Sequence, residues 1–187
     1  MSTTFDVAVF VGSLRRASFT RRIANALEEV APRSLTLTII EIGQLPMYNQ
    51  DLDDGEPPAE WTEFRRQVKA ADAVLFATPE YNRSVPGVLK NAIDVGSRPR
   101  SVNAWEGKPG AVISVSPGMI SGFGANHHLR QSLVFLNVPT MQQPEAYIGN
   151  VATLFDDAGK LKNAGTREFL STFMLAFANW IELIARG

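Results

Sequence analysis

Apolar positions change their spacing along this chain, and each change marks an element. Residues 5–11, FDVAVFV, form a short run rich in β-branched side chains that ends at Gly12, the pattern of a buried strand. Phe19, Ile23, Leu27 and Val30 then recur at the helical period, and Pro32 ends the helix. SLTLTIIEI (34–42) alternates as a second strand, and GQLPMYNQDLDDGEPP (43–58) reads as a long solvated polar loop. Trp61, Phe64, Val68 and Ala71 mark a second helix, and DAVLFATP (72–79) is a third strand ending at a proline.

Beyond it, YNRSVPGVLKNAIDVGSRP (81–99) holds a loop and a helix entered near Pro86, a good first-turn residue. PGAVISVSP (109–117) is a fourth strand, NHHLRQSLVFLN (126–137) a helix, and VPTMQQPEAYIG (138–149) carries a short fifth strand. LFDDAGKLKN (154–163) is a turn, and 165–186 a last helix with Phe169, Phe173, Phe177, Trp180 and Ile184 on one face. Strand and helix alternate five times, which predicts one doubly wound α/β domain over residues 1–187, its parallel sheet buried on both faces. Ligands of such sheets sit outside the carboxyl ends of the strands, so the informative loops are 12–20, 79–86 and 116–125.

Composition narrows the chemistry. A chain of 187 residues suits one well-cored domain, and a net charge of −1 gives no sequence-independent grip on nucleic acid. MSTTFDVAVFVG lacks the basic start of a signal peptide, and no stretch approaches the ~20 apolar residues of a membrane helix. The expectation is a cytoplasmic protein with no nucleic-acid or membrane partner. There are no cysteines, which excludes disulfides, thiolate catalysis, iron–sulfur clusters, thiolate zinc sites and the Cys-x5-Arg phosphatase loop. Redox chemistry here needs a bound cofactor.

VGSLRRASFT (11–20) joins the first strand to the first helix. A helix N-terminus offers free N–H groups and a partial positive charge to a phosphate. Ser13, Ser18 and Thr20 add hydroxyls, Arg15 or Arg16 adds charge-assisted bonds, and Phe19 can pack while its N–H faces a ligand. A serine cap beside solvated arginines is the plainer alternative. Gly12 stands alone, so neither Gly-x-Gly-x-x-Gly nor the Gly-x4-Gly-Lys-Ser/Thr loop is present, which favours a monophosphate over a pyrophosphate. In TPEYNRSVPGVLKNAID (78–94), Pro79 fixes the strand exit, and Glu80, Tyr81 and Asn82 present an acceptor, a flat ring and an amide. Such a loop suits the edge of a planar heterocycle; taken alone, a Tyr-Asn pair in a loop is more often turn chemistry and surface packing than ligand contact.

GSLRRASFT (12–20) and PEYNRSVPGVLKNAIDVGSR (79–98), at this spacing, resemble the NADPH-dependent FMN reductase family, which includes bacterial quinone, chromate and azo-dye reductases. The likeness continues through HLRQSLVFLNV (128–138) and FDDAGKLKNAGTREFL (155–170). It implies a flavodoxin-like sheet of order 2-1-3-4-5 with helices on both faces. It implies that Ser13, Arg15, Ser18, Phe19 and Thr20 hold the FMN phosphate, Thr20 standing where asparagine is common. Pro79, Glu80, Tyr81 and Asn82 would meet the isoalloxazine edge, and Ser116, Pro117 and Gly118 would approach the ring. The family often shows Gly-Gly-x-Arg where this chain has Ser121, Gly122, Phe123 and Gly124.

The activity implied is ping-pong: NADPH or NADH gives hydride to flavin N5, and small acceptors such as quinones, metal oxyanions like chromate, or azo dyes take the electrons. No side chain need be an acid or base, and a homodimer or homotetramer is implied. A flavin reductase releasing reduced FMN, or a flavodoxin-like electron carrier, shares the motifs; carriers tend to be acidic, unlike a chain of charge −1. His127 and His128 are adjacent on a helix, about 100° apart, so they cannot share a metal; one is expected packed and the other at the surface or an interface. DLDDGEPP (51–58) lacks the glycine position and closing glutamate of a calcium loop, and SVSPG (114–118) lacks the first glycine of a nucleophile elbow.

Overall fold

The computed structural model describes residues 4–186; the ends of the predicted 1–187 domain, including the first residues of MSTTFDVAVFVG, lie outside the described residues. Five strands, β1 (Phe5–Val11), β2 (Leu35–Ile40), β3 (Ala73–Thr78), β4 (Gly110–Val115) and β5 (Ala146–Ile148), form one sheet of order β2-β1-β3-β4-β5. Every pairing is parallel, with Val9 opposite both Ile39 and Leu75, and Ile113 opposite Ala146. Helices α1 (Phe19–Val30), α2 (Gln50–Asp53), α3 (Ala59–Ala70), α4 (Gly87–Gly96), α5 (Phe123–Phe135) and α6 (Ala164–Ala185) make the connections.

The period of two along each strand sorts side chains to opposite faces. From β1, Val7, Val9 and Val11 join Ile23 and Leu27 of α1 and Phe173 and Phe177 of α6. Ala8 and Phe10 turn the other way, to Trp61 and Phe64 of α3, Leu89 of α4 and Leu129 of α5. Phe10 centres that second face, its ring 5.3 Å from Phe76 and 5.2 Å from Trp105. Both faces are covered, so the sheet leaves its carboxyl edge as the place where loops gather.

Three expectations are corrected. The 43–58 segment is not a plain solvated loop: it holds α2, capped by the Asn49 side chain accepting from Asp51 N–H at 3.0 Å. Asp53 forms a two-pronged ion pair with Arg65, 2.7 and 2.8 Å, with side chains only 5% and 12% exposed. Asn91 holds the same segment, accepting from Tyr48 N–H and donating to the carbonyls of Leu45 and Pro46. Tertiary partners, invisible to local composition, turn this acid-rich stretch inward.

The second correction concerns α6. It has 22 residues and a window of mean hydropathy 1.3, long and apolar enough by length and composition to cross a membrane. Here it serves as a core helix, burying Leu170, Phe173, Met174, Phe177, Ala178 and Ile181. The buried stripe is rotated from the predicted one, so that Phe169, Trp180 and Ile184 lie half-buried at its margins. The third concerns the histidines, both of which are exposed. The His127 ring lies 4.2 Å from that of Phe123, tilted by 41°, and bonds Tyr147 Oη at 3.0 Å, while His128 Nδ1 lies 3.0 Å from Ser84 Oγ.

If α6 is a core helix, truncating its buried centre destabilises the fold. Phe177→Ala should lower stability by about 3–5 kcal/mol in urea unfolding. A loss near zero would show that α6 does not carry the core.

Candidate functional site

The turn after β1 is fixed from below. Gly12 N–H donates to Ala77 O at 2.8 Å, and a Cβ on Gly12 would lie 3.1 Å from both Leu89 Cδ2 and Pro79 Cδ. The lone glycine therefore serves close packing of this turn against the loop after β3. Ser18 caps α1, its Oγ accepting from Arg21 N–H at 3.1 Å. Among the described residues, the N–H groups of Ser13 to Ala17 and of Phe19 and Thr20 find no protein acceptor. The hydroxyls of Ser13 and Thr20 bond no protein group, and although these residues are buried as a whole their oxygens open to the surface. Helix field, free donors and hydroxyls converge here, which fits a phosphate. Arg15 and Arg16 are exposed and have no carboxylate partner among the described residues.

The loop after β3 is a tight turn. Tyr81 and Ser84 exchange backbone hydrogen bonds of 3.1 and 3.0 Å across Asn82 (φ 52°) and Arg83 (φ 65°), both left-handed without being glycine. Tyr81 stands 49% exposed above it. The N–H groups of Glu80, Asn82 and Arg83 have no acceptor among the described residues. The Glu80 side chain is spent elsewhere. Its carboxylate, 13% exposed, accepts from Ala125 N–H at 3.0 Å in the first turn of α5 and faces Arg83 at 3.7 Å. Glu80 thus ties two loops together, and only its backbone is free to meet a ligand.

Gly124 explains the departure from Gly-Gly-x-Arg. A Cβ there would sit 2.7 Å from Arg83 O and 3.0 Å from Glu80 Oε2, so the close approach of α5 to the β3 loop admits no side chain. The third loop folds on itself: Ser116 Oγ accepts from Gly118 N–H at 3.1 Å, and Ser114 Oγ donates to Ser121 O at 2.8 Å. Pro117, Gly118, Met119 and Ile120 project to solvent beside it.

All three predicted loops therefore meet at the carboxyl edge of β1, β3 and β4. A hollow of about 390 Å³ between the first two of them and the start of α4 is lined by Gly12, Leu14, Arg15, Tyr81, Pro86, Gly87 and Val88. Leu14, Gly87 and Val88 were not foreseen as lining; only Pro86, as a helix start, was a sequence signal. A larger hollow of about 600 Å³ lies between β2 and α3 and is lined by no residue of these three loops. The 390 Å³ hollow borders the free donors at Leu14 and Arg15, which the 600 Å³ one does not. No group of three or more His, Asp or Glu side chains gathers to hold a metal among the described residues.

Sheet order and this edge define a flavodoxin-like domain, and a flavodoxin from Pseudomonas aeruginosa superposes on it with TM-score 0.57 at 18% identity, covering 95% of this chain and 99% of that one. The chain belongs to the NADPH-dependent FMN reductase family, whose pattern matches residues 5–153. It is thus an oxidoreductase with FMN as cofactor and NAD(P)H as electron donor. It is 62% identical over 183 residues to a quinone reductase of Pseudomonas putida, covering 98% of each chain. It is 45% identical to a 2-hydroxy-1,4-benzoquinone reductase of Burkholderia sp, covering 94% of this chain and 95% of that one. The flavoenzyme NAD(P)H:(acceptor) oxidoreductase FerB of Paracoccus denitrificans matches with TM-score 0.89 and 41% identity, over 96% of this chain and 98% of that one.

Beside the third loop, burial and the neighbouring Glu145 carboxylate push the Tyr147 phenol up from 10.0 to about 12. Because the folded state holds this proton more tightly than the unfolded chain does, stability from this group is complete below pH 10. It is lost as pH rises toward about 12. Tyr147→Phe should remove that part of the alkaline loss, seen as a flatter profile of unfolding midpoint against pH above 10. An unchanged profile would contradict it.

Proposed function

We propose that this edge holds FMN for the reduction of quinones by NAD(P)H. Ser13, Arg15, Ser18, Phe19 and Thr20 take the phosphate, Arg15 because it alone of the paired arginines lines the hollow beside Tyr81. The observation that carries the reading is the set of N–H donors of Ser13 to Ala17, Phe19 and Thr20 left without protein acceptors at the start of α1. The backbone of Pro79, Glu80, Tyr81 and Asn82, with Ser116, Pro117 and Gly118, borders the ring. The free N–H groups of Glu80 and Asn82 aim fixed dipoles at its polar edge, where negative charge develops on reduction.

Bound FMN supplies hydride acceptance from NAD(P)H and electron delivery to the acceptor. The protein orients both partners on one exposed face and needs no titrating side chain for it. Quinones are the acceptors we assign, supported by the activities for which the Pseudomonas and Burkholderia relatives are named. Metal oxyanions and azo compounds are further acceptors of the same two-electron chemistry. Apolar side chains left exposed on α5 (Val134, Phe135) and α6 (Leu175, Leu183) support association with further copies as a homodimer or homotetramer.

Replacing Arg15 and Ser18 together by alanine removes one charge-assisted bond and one hydroxyl. FMN affinity should fall about 100-fold. The lost cap costs only about 1 kcal/mol, so the fold persists. Circular dichroism and flavin retention check both statements. Unchanged flavin occupancy would defeat the assignment. Steady-state NADPH oxidation with benzoquinone should give parallel double-reciprocal lines, whereas intersecting lines would contradict a shared, alternately used face.

A further inference from the structure

β2 is an edge strand, paired only with β1, and its outer side is open. Phe5, opposite Leu35, donates its N–H to Ser34 O at 2.9 Å, so β1 bonds the even-numbered residues of β2. The N–H and C=O groups of Leu37 and Ile39 therefore point away from the sheet, as does Leu35 C=O, and they meet no protein partner among the described residues. Leu35 N–H is taken by Pro32 O at 2.9 Å. Exposed edges are usually blunted by a charge, a proline or a bulge. LTLTII (35–40) carries no charge and no proline, and it stays in unbroken register with β1.

The two faces of β2 differ. Leu37 and Ile39 lean toward α1 and α6 and are half-buried there. Thr36 and Thr38 lie on the α3 side and are exposed, and the 600 Å³ hollow, which Thr38 lines, keeps α3 off that flank. Opposite charges sit at the two ends. Arg33, just before β2, is exposed and has no carboxylate partner among the described residues. Glu41, just after β2, bonds Arg21 yet keeps 63% of its side chain exposed, which leaves room for a second guanidinium.

RSLTLTIIE (33–41) is complementary to its own reverse. Antiparallel pairing centred on Leu37 sets Leu37 opposite Leu37 of a second copy, Leu35 opposite Ile39 and Thr36 opposite Thr38, and it brings Arg33 to Glu41. Moving the centre by one residue sets Arg33 against Ile39, or Leu35 against Glu41. The outward backbone groups fit the same register. Leu37 N–H reaches Leu37 C=O of the other copy, Ile39 N–H reaches its Leu35 C=O, and two-fold symmetry repeats each bond. We propose that β2 is a self-association edge, pairing antiparallel with β2 of a second copy about Leu37 and joining the two sheets into one. This face is separate from the exposed apolar side chains of α5 and α6, and the pairing does not depend on the flavin. Because it is antiparallel, the two carboxyl edges face opposite ways and both stay open.

The test uses the full chain, which has no cysteine of its own. Thr36 and Thr38 of the other copy form a pair without mutual backbone bonds, with Cα atoms about 4.5 Å apart, within reach of a disulfide. Thr36→Cys protein mixed with Thr38→Cys protein should therefore cross-link under mild oxidation into pairs holding one of each, while neither alone cross-links. The double variant Thr36→Lys, Thr38→Lys sets lysines opposite each other at two exposed positions, and should halve the particle mass in sedimentation velocity with circular dichroism unchanged. Arg33→Glu should weaken association roughly 10-fold, and adding Glu41→Arg should restore it. Cross-linking of Thr36→Cys or Thr38→Cys with itself would overturn the register and with it the proposal. A mixture that does not cross-link, a wild-type monomer, or a lysine variant of unchanged mass would overturn it too, leaving the edge to solvent or to a strand of a different protein.

Discussion

A strand that runs parallel to its neighbour must be reached by a crossover, so a sheet of five parallel strands sends all its outgoing loops to one edge. The rest of the structure follows from that constraint. Burying Val9 and Phe10 on opposite faces of β1 requires helices on both sides, and those helices start at the same edge. The start of α1 is held there by the Gly12 N–H bond to Ala77 O and by the packing of Gly12 on Pro79 and Leu89. The chain thereby positions a helix field and a set of free donors beside the turn at Tyr81.

Polar side chains then make the edge stiff. Glu80 reaches from the β3 loop to the first turn of α5, and Gly124 allows the approach that makes this bond possible. Asn91 and the Arg65–Asp53 pair hold the segment after β2. Breaking a buried pair of this kind costs far more than an exposed one would. Several polar residues near the site thus fix loop geometry, while backbone N–H groups face outward. A cofactor that carries its own redox chemistry asks for such positioning and no more.

Most of the fold was legible because its signals are local. The apolar run 5–11, the period of Phe19, Ile23, Leu27 and Val30, and the proline after β3 each state an element directly. The turn at 12–20 was legible because free donors at a strand–helix junction follow from backbone geometry. What was hidden depends on distant partners. Asp53 looked like one of several solvated acids, but Arg65, 12 residues on, takes it inward. Glu80 looked like an acceptor for a ligand, but Ala125, 45 residues away, claims it. The buried stripe of α6 is turned from the aromatic one because the sheet and α1 select the face, not aromatic content.

The central claim is that one edge serves a nicotinamide donor and a quinone in turn through FMN. The most direct measurement is an anaerobic absorption spectrum of the purified protein, taken before NADPH, after it, and after benzoquinone. The account predicts flavin bands that bleach with NADPH and return in full with quinone. A colourless protein that takes up no added FMN, or bands that NADPH leaves unchanged, would contradict it.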